Sequence, residues 1–317
     1  MSAAAILVRD GAVRHLRLEE ARGYHGPGFA WIHIESDGTE ELPLIVSDDI
    51  PDIAAHALIA TETRPRCDRI DDGAIVNLRG PAAVEIDDSD RLVSIRMWAR
   101  RDKVDSVTRR PLAASAAVKA QMEGGRILDP GDLVAAFARE ISKQLDPQVA
   151  DLGDQLDDCE SALESGNKFR LRSTIANIRS EAIAFRRFVA PDRDALLTLA
   201  ALDVDWLEET DRLHIREAAD RFARMAEELE AVRERAALLH EQLTDLRAEE
   251  IDQRSLVIAV VAFIFLPLTF ITGLLGMNVE GIPYAHSHWS FWGVVMFCFL
   301  VGLGVLAWFV RKRWIRR

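Results

Sequence analysis

Cysteine is scarce in this chain: Cys67, Cys159 and Cys298 are odd in number and far apart. No CxxC or Cys/His zinc spacing occurs, which argues against a disulfide framework or a structural zinc site. A reducing compartment is expected. Basic charge is also short. Residues 255–317 hold five Lys/Arg and one acid, which leaves 34 Lys/Arg against 50 Asp/Glu in residues 1–254, a balance of −16. The basic footprint of a nucleic-acid binder is missing, so no such partner is expected. The acidity fits a surface that attracts cations, or one that is simply soluble. Catalytic signatures are absent too: no P-loop, G-x-G-x-x-G, G-x-S-x-G or H-E-x-x-H, so neither an enzyme nor a cofactor is expected. The N-terminal apolar run breaks at Arg9 and Asp10, too early for a signal peptide.

Charge itself disappears from two stretches. Residues 256–277 (LVIAVVAFIFLPLTFITGLLGM) and 289–310 (WSFWGVVMFCFLVGLGVLAWFV) are each 22 positions without an ionisable acid or base. About 20 apolar residues cross a bilayer as helix, so both are read as spans. The mean hydropathy of +0.00 therefore averages two unlike regions. The segment between them has no Lys or Arg, while the tail reads RKRWIRR. The positive-inside bias puts that tail, and with it the large N-terminal region, on the cytoplasmic side. Trp289, Trp292, Trp308 and Trp314 fall near the span ends, as an aromatic belt would.

The preceding region divides by texture. Residues 1–128 carry β-like runs, FAWIHIES, GAIVNLRG and RLVSIRMWAR, with a helical DDIPDIAAHALIA among them. From Asp129-Pro130, an N-cap followed by proline at the first helical position, helical patterns dominate, with breaks expected near Ser165-Gly166-Asn167 and at Pro191. Asp157, Asp158 and Glu160 read as a solvated helix face rather than a metal site. Ile215, Ala218, Phe222, Met225, Leu229, Val232, Ala236, Leu239, Leu243 and Leu246 repeat at alternating spacings of 3 and 4. That heptad seam fits either a core helix of its own subunit or, given its length, a projecting stalk. A helix from about Trp206 to Gly276 would run on the order of 100 Å.

One line of the first span holds Asp252, Ser255, Ala259, Ala262, Leu266, Thr269 and Gly273; the opposite side carries Val257, Val260, Ile264, Leu268, Ile271 and Leu275. Small and hydroxyl-bearing residues on one stripe suit close helix packing or a narrow pore, and spacing does not separate the two. Pro267 frees the carbonyl of Phe263 and favours a bend. Two helices cannot enclose a channel, so transport would require several subunits.

The run LPLTFITGLLGMN resembles the first span of the CorA-type divalent-cation transporters, whose signature is Gly276-Met277-Asn278 as it stands here. ETRPRCDRIDDGAIVNLRG, VSIRMWARRDKVDSVTRRP and the loop GMNVEGIP resemble the zinc-transport, ZntB-like branch. The Met-Pro-Glu-Leu loop of magnesium members is absent, although Glu280 matches an acidic position common among them. The resemblance implies an α+β cytoplasmic domain, a long helical stalk and two C-terminal transmembrane helices, assembled as a homopentameric funnel in the inner membrane. Its parts would be residues 1–128, a helical region and stalk 129–254, a pore helix 255–277, a periplasmic loop 278–288, and a second span with tail 289–317. It implies a selectivity filter at Gly276, Met277 and Asn278. Thr269 and Leu266 would line the pore, with Ile258, Ala259 and Ser255 nearer its cytoplasmic end. Asp252 stands where magnesium members commonly carry asparagine, and a ring of five carboxylates would hold cations more strongly. Glu280, His286 and His288 would attract metal at the mouth, although the two histidines also fit an ordinary interfacial loop. The implied cargo is Zn²⁺, with Mg²⁺, Co²⁺ or Ni²⁺ as the alternative. No His or Cys lies on the stripe, so Zn²⁺ would cross hydrated or weakly held. From a different class, a membrane-anchored coiled-coil scaffold would use the same stalk, but gives no reason for asparagine at the span's end.

Overall fold

The computed structural model describes residues 2–36, 49–61, 64–84, 91–164, 171–277 and 288–311. The chain folds as two compact units, Met1–His240 and Glu241–Arg317.

The first unit begins with a seven-stranded sheet. Its strands are β1 (Ser2–Arg9), β2 (Ala12–His15), β3 (Phe29–Glu35), β4 (Arg66–Ile70), β5 (Gly73–Pro81), β6 (Leu92–Arg100) and β7 (Lys103–Thr108). The order is β2-β1-β3-β7-β6-β5-β4, antiparallel throughout except where β3 pairs β7 in parallel. Asp10 and Gly11, at φ 49° and 75°, turn β1 into β2 with both central residues left-handed. That is the turn a two-residue Asp-Gly loop favours.

Period-2 alternation sorts the side chains onto two faces. One carries Ile32, Ile34, Ile75, Trp98 and Val107 against α1 (Leu18–Arg22) and α2 (Asp52–Ile59), with Ala54, Ala55 and Leu58 buried there. The other packs on α3 (Ala113–Glu123) and α4 (Pro130–Glu164): Trp31 meets the ring of Phe137 edge-on at 5.8 Å, and Gly80 lies under Ile141. Both faces being covered, the strands read as continuous buried runs; β5 and β6 hold few exposed positions.

Helices α5 (Leu171–Ala201), α6 (Glu209–Leu275) and α7 (Ser290–Arg311) complete the chain. The break expected at Pro191 does not occur: α5 passes through it, with Val189, Asp192 and Ala195 all buried. Packing on both sides of the proline holds the helix together despite the lost bond. Asp129 does cap α4, accepting the Asp132 N–H at 2.8 Å. The long helix expected as a stalk is α6, and most of the heptad seam along it packs within its own chain. Ile215 to Leu239 are buried within the single chain, so the seam there is intrachain core, the first of the two readings its spacing allowed. The acidic positions on α4 are not merely solvated, since Asp157 and Glu160 both pair with Arg235 of α6.

Candidate ion path

Among the described residues, α6 and α7 each carry a stretch long and apolar enough to cross a membrane, with a mean hydropathy of 2.6 and 2.2 over 18 residues. Their exposed residues include Phe263, Phe265, Phe270, Phe291, Trp292 and Phe299, a coat of large apolar side chains that water would not tolerate over such an area.

Contact with α7 divides α6 into two sides. Val260 is buried and Ile264, Leu268, Ile271 and Leu275 are half-buried, spaced as one helical face. Ile264 approaches Gly302, and Phe263 meets Phe309 edge-on at 6.1 Å. These are the bulky positions the sequence set apart, with Val257 the exception at 60% exposed. All the stripe residues, Asp252, Ser255, Ala259, Ala262, Leu266, Thr269 and Gly273, are exposed, as is Ile258. The stripe thus lies on the side of α6 that α7 leaves bare.

The helix runs through Pro267, and hydroxyls near it fold back onto the backbone. Thr269 Oγ1 donates to the carbonyl of Phe265, and Thr272 Oγ1 to that of Leu268 at 2.9 Å. Such back-bonding satisfies the hydroxyl proton in an apolar setting and slightly bends the helix. Each threonine oxygen keeps its lone pairs for an outside donor or cation. At the end of α6 the Gly276 amide closes the last turn on Thr272 O at 2.9 Å, and Met277 is exposed. Asn278, Glu280 and His286 lie outside the described residues; His288 is exposed.

A carboxylate group that the sequence did not reveal sits in the first unit. Oxygens of Asp129, Asp132 and Asp211 all lie within 4.8 Å of one another. Each is tied to a helix start. Asp132 Oδ2 accepts the Leu128 N–H at 3.0 Å, and Asp211 Oδ2 accepts the Glu208 N–H at 2.8 Å, half of a capping box for α6. Burial first, then the charge of Asp129, pushes the Asp211 carboxyl up to about 7. Burial also raises that of Asp129. Asp129 and Asp132 adjoin in sequence, but Asp211 joins them only through folding. Arg212 fixes the junction by donating to the carbonyls of Ala200, Leu202 and Val204.

Comparison with known proteins places this geometry. The family "CorA-like Mg2+ transporter protein" matches residues 26–313. The zinc transport protein ZntB of Pectobacterium carotovorum subsp. carotovorum is 30% identical over 292 residues, covering 90% of this chain and 88% of its own. The ZntB of an Enterobacter species is 27% identical over 320 residues, 98% and 94% of the two chains. Among solved structures, full-length CmaX superposes with a TM-score of 0.80 at 27% identity, over 96% and 97% of the chains. The CorA magnesium transporter of Methanocaldococcus jannaschii shares the fold at TM-score 0.81 and 19% identity, over 99% of each. With the match covering nearly the whole sequence, both apolar helices included, the chain belongs to the CorA-like Mg²⁺ transporter protein family.

Proposed function

We propose that this chain is the protomer of a homopentameric divalent-cation transporter of the inner membrane, with Zn²⁺ as its cargo and no enzymatic step. The observation that carries the reading is the bare, small-residue stripe on α6 opposite its α7 contact, running from Asp252 to Gly273. Family membership supports the transport class, and the ZntB relatives support zinc. Five copies of the stripe facing one axis would form the pore, leaving α7 outside. Both termini would then be cytoplasmic, and the loop 278–288 periplasmic.

The chemistry of the stripe fits passage of a cation that keeps most of its water. Thr269 and Ser255 offer hydroxyl oxygens, and the Thr269 proton is already committed to Phe265 O, so its free side is an acceptor. Ala259, Ala262 and Gly273 leave room without a ligand strong enough to trap Zn²⁺. Asp252 adds negative charge at the cytoplasmic end, and a carboxamide ring at Asn278 would select a hydrated ion at the mouth. A scaffold would use the same helices but has no need of a bare stripe.

The test is uptake of Zn²⁺, Mg²⁺, Co²⁺ and Ni²⁺ by purified protein in proteoliposomes, with and without a pH gradient. Zn²⁺ flux abolished in Asn278→Ala is the expected result. Full flux in that variant would remove the filter role, and absence of any flux would favour the scaffold. Mass measurement of the detergent-solubilised protein checks the pentamer.

A further inference from the structure

Two helices of the first unit carry opposite charge on their outer sides. From residue 144 to its end, α4 contains no Lys or Arg. One exposed line along it runs Pro147, Asp151, Asp154, Asp158 and Ser161, at spacings of 4, 3, 4 and 3. On α5 the exposed line with the same spacings is Arg172, Ala176, Arg179, Ile183 and Arg186. Such spacing keeps each set on one side of its helix.

The two lines do not satisfy each other within the chain. Among the described residues Asp154, Asp158, Arg172 and Arg179 make no ion pair or side-chain hydrogen bond. Asp151 accepts from the Gln155 amide at 2.7 Å, and Arg186 turns to Glu230 of α6 at 2.9 Å. The basic line also borders a groove. Ile175 and Ile183 of α5 and Ala236 of α6 line a space of about 250 Å³, with Arg179, Ser180 and His240 around it. Ile183, in the midst of the arginines, is 47% exposed. An apolar centre with a charged rim is the anatomy of a contact surface.

We infer that the acidic line of α4 in one copy of this chain seats on the basic line and groove of α5 in the next copy. Charge and step both match. Asp151 and Asp158 are seven residues apart, as are Arg172 and Arg179, about 10.5 Å along either helix. Pro147 and Ser161, at the ends of the acidic line, are small enough to let the helices approach and cover Ile183. Acidic and basic patches differ, so the contact is heterologous: each copy offers one patch to one neighbour and the other patch to the next, as a closed ring requires. The inference rests on the homopentamer reading and adds to it which surfaces meet.

The test uses the full chain in detergent, with assembly mass followed through a dilution series. Arg172→Glu with Arg179→Glu, and separately Asp151→Arg with Asp158→Arg, would set like charges against each other. Each pair should raise the concentration of half-dissociation about tenfold or more. A chain carrying all four reversals should regain the wild-type value, and rising salt should weaken the wild type. All four positions are exposed, and circular dichroism checks that each variant is folded. A second readout is carbodiimide coupling of Arg179→Lys, which should join copies covalently. Adding Asp151→Asn, Asp154→Asn and Asp158→Asn to that chain should abolish the product. A wild type that is only monomeric would overturn this contact together with the pentamer. A ring indifferent to both reversals would overturn the contact alone. Loss on reversing the arginines but not the aspartates would mean that another acidic occupant holds the groove, and would also overturn it. Charge-sensitive assembly in some other copy number would support the contact and refute the five-fold ring.

Discussion

Asp211→Asn should flatten the dependence of stability on pH between about 4 and 7. In the folded chain the Asp211 carboxyl is pushed up to about 7 by burial and then by Asp129, with Asp132 and Glu208 adding to it and the Glu208 N–H opposing. An unfolded aspartate titrates near 3.9. The folded state therefore binds the proton more tightly than the unfolded one. Stability from that proton is fully present below about pH 4 and is lost as pH rises through about 7. Three units at about 1.4 kcal/mol each set a ceiling of about 4 kcal/mol. The three carboxylates titrate as a group, so the share removed at one position is smaller, about 1–3 kcal/mol. Asparagine keeps an oxygen for the Glu208 N–H, so the cap survives the exchange. At pH 8 the variant should melt about 2–10 °C above the wild type, and at pH 4 the two should coincide or nearly so. Thermal scans of the full chain with chelator, read through the fluorescence of buried Trp31, Trp98 and Trp206, measure this. Parallel pH profiles for the two proteins would refute the reasoning.

Other substitutions probe separate links. Gly131→Ala would drive a Cβ into Asp211 Oδ2, well inside van der Waals contact, so the start of α4 must shift away from α6; a loss of about 1–3 kcal/mol is expected in denaturant unfolding. Phe222→Ala, at a fully buried position of α6, should cost about 3–5 kcal/mol, while Arg235→Gln, whose partners are partly exposed, should cost under about 1 kcal/mol. If the seam were only an intersubunit stalk, Phe222→Ala would change oligomeric state and leave protomer stability alone. Thr269→Val keeps shape but removes the hydroxyl oxygen on the bare side of α6, and under the proposed pore should slow Zn²⁺ flux about tenfold without moving the melting temperature. Unchanged flux would take Thr269 out of the path.

What was legible in the sequence was whatever a local period could encode. The strands β3, β5 and β6 announced themselves through β-branched runs ended by Gly, Pro or Asp, and the two spans through uninterrupted apolar length. Strand β1 did not, because Ala3, Ala4 and Ala5 carry little strand preference and gain their place from pairing with β3. Polar β7 (KVDSVT) was equally silent; burial of Lys103 and Asp105 depends on partners such as Arg22 O, 2.6 Å from Lys103 Nζ. The heptad seam was legible as a period but not as to what lay against it, since a 3-4 spacing does not say which chain supplies the holes. Asp129 was seen as a cap, but its approach to Asp211 is a tertiary event that no spacing records.

The short strand β4 has a consequence for solubility. It pairs with β5 only from Gly73 to Asn77, so the last residues of β5 would be an open edge on which a foreign strand could template. Along that edge the outward backbone donors alternate, falling at positions 79 and 81. The first is taken by Asp192 and the second is a proline, which has no N–H to offer. The fold thus closes a sheet edge with one buried carboxyl and one imino acid, and Asp192→Ala would reopen it, making aggregation in the folded state the expected symptom rather than unfolding.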